Sequence, residues 1–201
     1  MPGQFQKEII LKRIEQESLI KLNLLKKDNI RLRQILSLNQ SSSSDRISAA
    51  VISRKTGSWW RQIILNKGSK DGVEIGSTVI GPGGLLGRVN STSFFTSTVT
   101  LLTSPESKVG VWLDRIQMNG LLIGTGDNNP ELILYSKGED IKVGDFVSSS
   151  PASTLFPPNI PIGIVQSVEQ QFKAKKTAKI LLLAKPQVID WVQILKVKFN
   201  E

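Results

Sequence analysis

The hydrophobic period changes partway along this chain, and that change limits the folds open to it more than any other feature. Through about residue 40 apolar residues recur at helical intervals, and the only Gly and Pro are Pro2 and Gly3. From Arg46 onward they alternate, with Gly and Pro punctuating the chain at short intervals. A period near 3.6 puts a stripe of side chains on a helix face, whereas a period of about two puts alternate side chains on one strand face. The chain therefore carries a helix and a β region in series.

From Gln6 the first segment is rich in Leu, Ile, Lys, Glu and Arg, all helix-compatible. Leu22, Leu25, Asn29, Leu32 and Leu36 are spaced 3, 4, 3 and 4 apart, a coiled-coil seam read as a dimerisation surface. Asn29 falls at an a position, where a buried amide sets register and favours a dimer at some cost in stability. Extended backwards, the register meets Ser18, Glu15, Leu11 and Glu8, and only Leu11 suits it. The seam covers about two heptads, and a single amphipathic helix packed on its own domain is the competing reading. The helix is assigned to residues 1–40 and the polar stretch at 41–45 to a linker.

Twelve short strands are expected after the linker: 47–52, 61–65, 78–80, 87–91, 98–102, 109–113, 120–123, 131–135, 146–148, 163–168, 179–183 and 191–197. An internal repeat organises them. Lys67-Gly68, Val73 to Val79 and Leu86 to Ser91 form one series. Lys137-Gly138, Ile141 to Val147 and Ile162 to Ser167 form the other. Two copies imply two small β-barrels of related topology rather than a solenoid. The fold class is thus mainly β, an N-terminal α-helix followed by two small β-barrel domains. Structural turns are assigned to Gly68, Gly72, Gly76, Gly84 and Gly87 in the first copy and to Gly144, Asp145 and Gly163 in the second.

Chemistry is narrowed mostly by what is missing. The chain contains no His and no Cys, which removes His-based triads and ordinary zinc, haem and iron–sulfur sites. Ser–Lys, Thr or paired-carboxylate catalysis stays formally open, but no spacing singles out a pair. Gly81-Pro82-Gly83-Gly84 lacks the third Gly and the Lys of a phosphate loop and reads as a hairpin turn. Asp127-Asn128-Asn129 with Glu131 lacks the Gly of a calcium loop and also reads as a turn. Asp71/Glu74 and Glu139/Asp140 occupy matching turns and are read as structural. No catalytic, cofactor-binding or metal-ligating residue is assigned, and no cofactor.

The net charge of +9 and the pI near 9.9 suit an anionic partner or simple solubility. Phe172 to Lys179 is the densest basic cluster; it lacks interleaved aromatics and reads as a solvated hairpin whose lysines blunt an edge strand. Trp59-Trp60 reads as a cap on the first barrel. No stretch approaches the ~20 apolar residues of a membrane span. In the loop from Ser148 to Asn159, eight residues longer than its counterpart, Leu155 and Phe156 are candidate partner-binding anchors held between prolines, or else a plug for the barrel end.

Taken together, these motifs resemble the rod shape-determining MreC family. Leu25 to Leu36 looks like its Leu-x-x-Glu-Asn-x-x-Leu-Arg-x-x-Leu segment. Lys67 to Val73, Gly84-Leu85-Leu86-Gly87-Arg88-Val89, Leu101 to Pro105, Gly144 to Val147 and Pro161 to Val165 follow in the family's order. Ser149-Ser150-Pro151 and Asn159 stand where the family usually has Thr-Ser-Gly and Gly. The resemblance implies two barrels of the chymotrypsin type without its triad. It divides the chain into a first barrel at 46–104 with 186–201 and a second at 105–185, the strand near Trp191 returning to the first. It implies a non-catalytic scaffold of the cell-elongation machinery on the periplasmic face of the cytoplasmic membrane. That scaffold would organise sidewall peptidoglycan synthesis and maintain rod shape. Implied partners are a second copy or higher assembly, a penicillin-binding transpeptidase, MreD and MreB, with no nucleic acid. Membrane association is expected only from a span preceding this sequence. A nucleic-acid-binding β-barrel protein and, behind it, a Ser–Lys hydrolase are the alternatives.

Overall fold

The computed structural model describes residues 3–35, 46–55, 61–135, 141–170 and 175–195. The chain forms two compact units, Met1–Ser44 and Asp45–Glu201. Helix α1, Gly3–Ile35, is the first. Its side chains from Leu11 to Lys27 are all exposed, so the helix places its apolar residues in solvent rather than in a core of its own.

The second unit contains β1 (Arg46–Lys55), β2 (Gln62–Leu65), β3 (Thr78–Gly81), β4 (Gly84–Thr92), β5 (Ser97–Leu101) and β6 (Lys108–Leu113). It continues with β7 (Met118–Ile123), β8 (Glu131–Tyr135), β9 (Phe146–Ser149), β10 (Pro161–Gln170), β11 (Lys175–Leu182) and β12 (Trp191–Leu195). Each coincides with a strand expected from sequence. Two closed barrels result, ordered β1-β12-β3-β4-β5-β2 and β10-β11-β8-β7-β6-β9. The fold is mainly β, a helix followed by two six-stranded barrels.

Every neighbouring strand pair is antiparallel, and the two barrels share one cyclic order. Matching β3 to β9 and β4 to β10, as the repeat requires, matches β5 to β11, β2 to β8, β1 to β7 and β12 to β6. The strand that opens the second barrel therefore corresponds to the strand that ends the first. The first barrel is a circular permutation of the second, with the second lying between β5 and β12.

The repeat is visible in hydrogen bonds. Gly76 N–H donates to Val89 O at 2.8 Å, and Val89 N–H donates to Ser77 O at 2.9 Å. In the second barrel Gly144 N–H donates to Val165 O, and Val165 N–H to Asp145 O, both at 2.9 Å. Gly76 and Gly144 each have φ of +92°, a conformation that penalises side chains with a Cβ.

The barrels meet at the β3–β4 hairpin. Its turn is Pro82-Gly83, with Gly81 opposite Gly84 and φ of +97° at Gly83, as a Pro-Gly type II turn demands. At Gly84 (φ +136°) a Cβ would lie 2.1 Å from Pro161 O of β10, so only glycine lets the two backbones approach this closely. The cross-strand pair Ile80 and Leu85 packs with the second barrel's core, while Leu86 belongs to the first. In return Ala184, beyond β11, joins the first core. Alternate residues of one hairpin thus serve two cores.

Gly144 and Gly76 separate backbone strain from packing. A Cβ at Gly144 meets nothing within 4 Å, but one at Gly76 would lie 2.6 Å from Arg88 Nη2. Gly144→Ala should cost about 1 kcal/mol of unfolding free energy through positive φ alone. Gly76→Ala should cost more, because Arg88 must also move. Denaturant unfolding of the two variants checks this order.

Candidate functional site

The loop joining β9 to β10 is built on serine hydroxyls. Ser149 Oγ donates to Pro157 O at 2.6 Å and accepts from Ile160 N–H at 2.8 Å. Ser150 Oγ donates to Asn119 Oδ1 and accepts from Ala152 N–H. Ser153 Oγ accepts the N–H groups of Leu155 and Phe156, each at 3.3 Å. Asn159 turns the chain back with φ of +61°, a left-handed value that Asn tolerates better than most residues.

This frame sends the two candidate anchors in different directions. Phe156 is 6% exposed and belongs to the second barrel's core, whereas Leu155 is 46% exposed. Phe156 is therefore a plug, and Leu155 is the residue of the pair that the loop presents. Burying the larger aromatic side chain recovers more transfer free energy, and the Ser153 turn fixes which of the two neighbours points inward.

Leu155 opens onto a crevice between the barrels with a volume of about 490 Å³. Ile75, Arg88, Asn90, Glu106 and Lys108 line it alongside Leu155. Ile75 is 62% exposed, and Arg88 is braced by its Nε–H donating to Gly76 O at 2.9 Å. Apolar Ile75 and Leu155 beside two cations and one carboxylate form a mixed surface suited to docking a protein segment.

The perturbed carboxylates are structural ties. The Arg115 guanidinium, donating through Nε to Oδ1 and through Nη2 to Oδ2 at 2.8 Å, holds Asp145 below the usual carboxylate range against the opposing effect of burial. Lys142 N–H also donates to Asp145 Oδ2 at 2.8 Å. Asp71 is lowered likewise by the hydrogen bond from Lys67 Nζ. Each carboxylate closes a turn, and no metal-ligating cluster occurs among the described residues.

Other residues singled out in the sequence fall as follows. Gly72 adopts φ of +83° at the end of a 3₁₀ turn, Ser69–Asp71. At Gly68, Gly87 and Gly163 a Cβ would run into Ser93 O, Thr100 O and Leu181 O, so close approach is their constraint. On α1, Leu22 and Leu25 are 48% and 60% exposed. The side chains of Asn29 and Leu32, and all of Leu36, lie outside the described residues, as do Trp59, Trp60, Glu139 and Asp140. The lysine cluster requires a correction. Strand β11 pairs with both β10 and β8, so its lysines blunt no edge, because barrel closure removes the edge.

Sequence reasoning overlooked two exposed aromatic features. Trp191 is 64% exposed on β12, and Phe94 and Phe95 are 62% and 60% exposed at the β4–β5 turn. The alternation Trp191-Val192-Gln193-Ile194 already carried the signal, since it puts Trp on the polar face of its strand.

Two closed six-stranded barrels that meet at a mixed apolar and charged crevice, preceded by a long helix, define the class of fold. Residues 51–196 match the family model described as "Rod shape-determining protein MreC, barrel core". The chain is 31% identical over 176 residues to the cell shape-determining protein MreC of Caulobacter vibrioides, covering 87% of this chain and 49% of that protein. It is 33% identical over 180 residues to the Listeria monocytogenes protein of the same name, covering 86% and 61%. A solved structure of Listeria monocytogenes MreC superposes with a TM-score of 0.79 at 31% identity, covering 98% of this chain and 96% of that one. A structure of the complex between penicillin-binding protein PBP2 and MreC from Helicobacter pylori shares the fold, with a TM-score of 0.58 at 16% identity over 76% and 98%. This chain belongs to the MreC family, and it spans about half the length of the relatives it matches.

Two outcomes are expected. Phe156→Ala should lower stability by about 3–5 kcal/mol through loss of core packing, measured by thermal melting. Asp145→Asn should cost about 1–3 kcal/mol near neutral pH by removing the charge from a buried carboxylate that Arg115 and the Lys142 N–H hold. Because the folded carboxyl titrates below its unfolded value, the stabilisation exists above about pH 4 and fades as pH falls through the folded pKa. The gap between wild type and variant should therefore narrow in acid, as denaturant titrations across pH would record.

Proposed function

We propose that this protein is a non-catalytic scaffold of the cell-elongation machinery, acting at the periplasmic face of the cytoplasmic membrane. It organises sidewall peptidoglycan synthesis and so maintains rod shape. The observation that carries the reading is the match of the barrel core, residues 51–196, to a shape-determining family. Relatives named as cell shape-determining proteins support it. So does a sequence without His or Cys.

In this reading the helix joins two copies through Leu22, Leu25, Asn29, Leu32 and Leu36. The inter-barrel crevice, with Leu155 at its rim, receives a penicillin-binding transpeptidase; a solved complex between penicillin-binding protein PBP2 and MreC from Helicobacter pylori supports a partner of that class. MreD and MreB complete the assembly at the membrane. The first barrel comprises residues 46–104 with 186–201, and the second residues 105–185.

Two measurements test it. Leu22→Asp combined with Leu25→Asp should reduce the sedimenting mass to that of a single copy, and an unchanged mass would remove the dimer from the reading. Leu155→Asp should leave the melting curve nearly unchanged, because the side chain is half exposed, while weakening capture by the transpeptidase's extracytoplasmic region at least tenfold. Equal capture by wild type and variant would reject the crevice as the docking site.

A further inference from the structure

The outer face of the first barrel carries a shelf separate from the crevice. Across β1, β12 and β3, Ser48 lies opposite Gln193 and Gln193 opposite Ile80, while Ala50 lies opposite Trp191. Ala49, Val192 and Ile194, at the alternating positions, are buried in the first core, so this set faces away from it, Ile80 also touching the second barrel's core. Ser48, Ile80, Pro82, Trp191 and Gln193 line an open depression of about 320 Å³, at the small end of ligand-site sizes. Arg46 Nη1 donates to Gln193 Oε1 at 3.2 Å, which ties up the carbonyl and leaves the amide NH₂ to donate elsewhere.

The lining has two kinds of chemistry. Its apolar part is the Trp191 indole, 64% exposed, with Ile80 and Pro82 and the small Ala50 as its cross-strand partner. Its polar rim is the Ser48 hydroxyl and the Gln193 amide, with the Arg46 guanidinium bonded to the latter. An apolar protein segment would desolvate those rim groups without pairing them. A nucleic acid strand would need a basic track for its phosphates, and among the described residues the lining holds no Lys or Arg, Arg46 reaching it through Gln193. A pyranose matches both parts, its axial C–H face stacking on the indole and its equatorial hydroxyls or acetamido group meeting Ser48, Gln193 and Arg46.

We propose that this shelf is a glycan-binding site that takes N-acetylated hexosamine units by stacking on Trp191. The choice of an amino sugar rests on the cell-wall reading above; the stacking platform does not. The scaffold would then hold the product strand as well as the synthetic enzyme.

The test titrates the full chain with tetra-N-acetylchitotetraose and follows the indole N–H resonances by NMR. The Trp191 resonance, assigned by its disappearance in Trp191→Phe, should shift saturably. Trp191→Ala should weaken binding tenfold or more and Gln193→Ala severalfold, with Trp191→Tyr retaining most of it and melting curves unchanged. An unmoved Trp191 resonance overturns the proposal, as does undiminished binding by Trp191→Ala. Should Trp191→Ala fail to fold, undiminished binding by Gln193→Ala does the same. A lower sedimenting mass for Trp191→Ala, with no sugar-induced shift in wild type, also overturns it and makes the shelf a contact between copies. Transpeptidase capture by the same variants separates the two readings. Retained sugar binding without capture faults the scaffold role, and retained capture without sugar binding faults the shelf.

Discussion

Strand β12 lies between β1 and β3, and the first barrel is a barrel only because of it. Remove it and two long strand edges are left with unpaired backbone groups, an arrangement prone to association with other chains. The closing strand arrives at Trp191, whereas the preceding strand of that barrel ends at Leu101. Closing so long a loop is tolerable because loop entropy grows only logarithmically and because the intervening chain is itself a folded barrel. The exchange of Leu85 and Ala184 between the two cores draws the ends of that insertion together. Such non-local pairing favours slow folding, with the second barrel completing its own ring from contiguous strands.

Circular permutation also explains where the two copies of the repeat part company. Asp145 is held by Arg115, which sits in the hairpin between β6 and β7. The corresponding strands of the first barrel are β12 and β1, at opposite ends of the β region, so no hairpin joins them, and no counterpart of Arg115 occurs among the described residues. Ser77 occupies the position of Asp145 in that copy. The glycine turn, which depends only on local backbone conformation, is kept in both barrels with the same φ. The ion pair, which depends on a connection, is present in one.

Local signals were legible in the sequence and non-local ones were not. All twelve strands could be read because alternation and Gly or Pro turns are properties of short windows. The repeat could be read because its turn needs glycine at one position. Two barrels follow from the repeat, yet periodicity does not say which strands close each ring, and the lysines of β11 read as edge protection although the strand has partners on both sides. The directions of Leu155 and Phe156 were ambiguous for a related reason. Neighbouring apolar residues in a loop have no period, and only the hydrogen bonds to Ser153 decide which one enters the core.

With both barrels closed and their interiors filled, the chemistry open to this molecule is on its outer surfaces. The join between the barrels makes those surfaces useful. At Gly84 the two backbones are so close that a methyl group could not be inserted, and Ile80 and Leu85 continue the second core into the first barrel's hairpin. Flexing one barrel against the other would break this packing, and close-packed interiors resist such deformation. Leu155 on the second barrel and Trp191 on the first are consequently held at a fixed separation by a rigid body. In the scaffold role proposed above, that fixed separation presents bound partners to one another without the entropic cost of ordering a linker each time they meet.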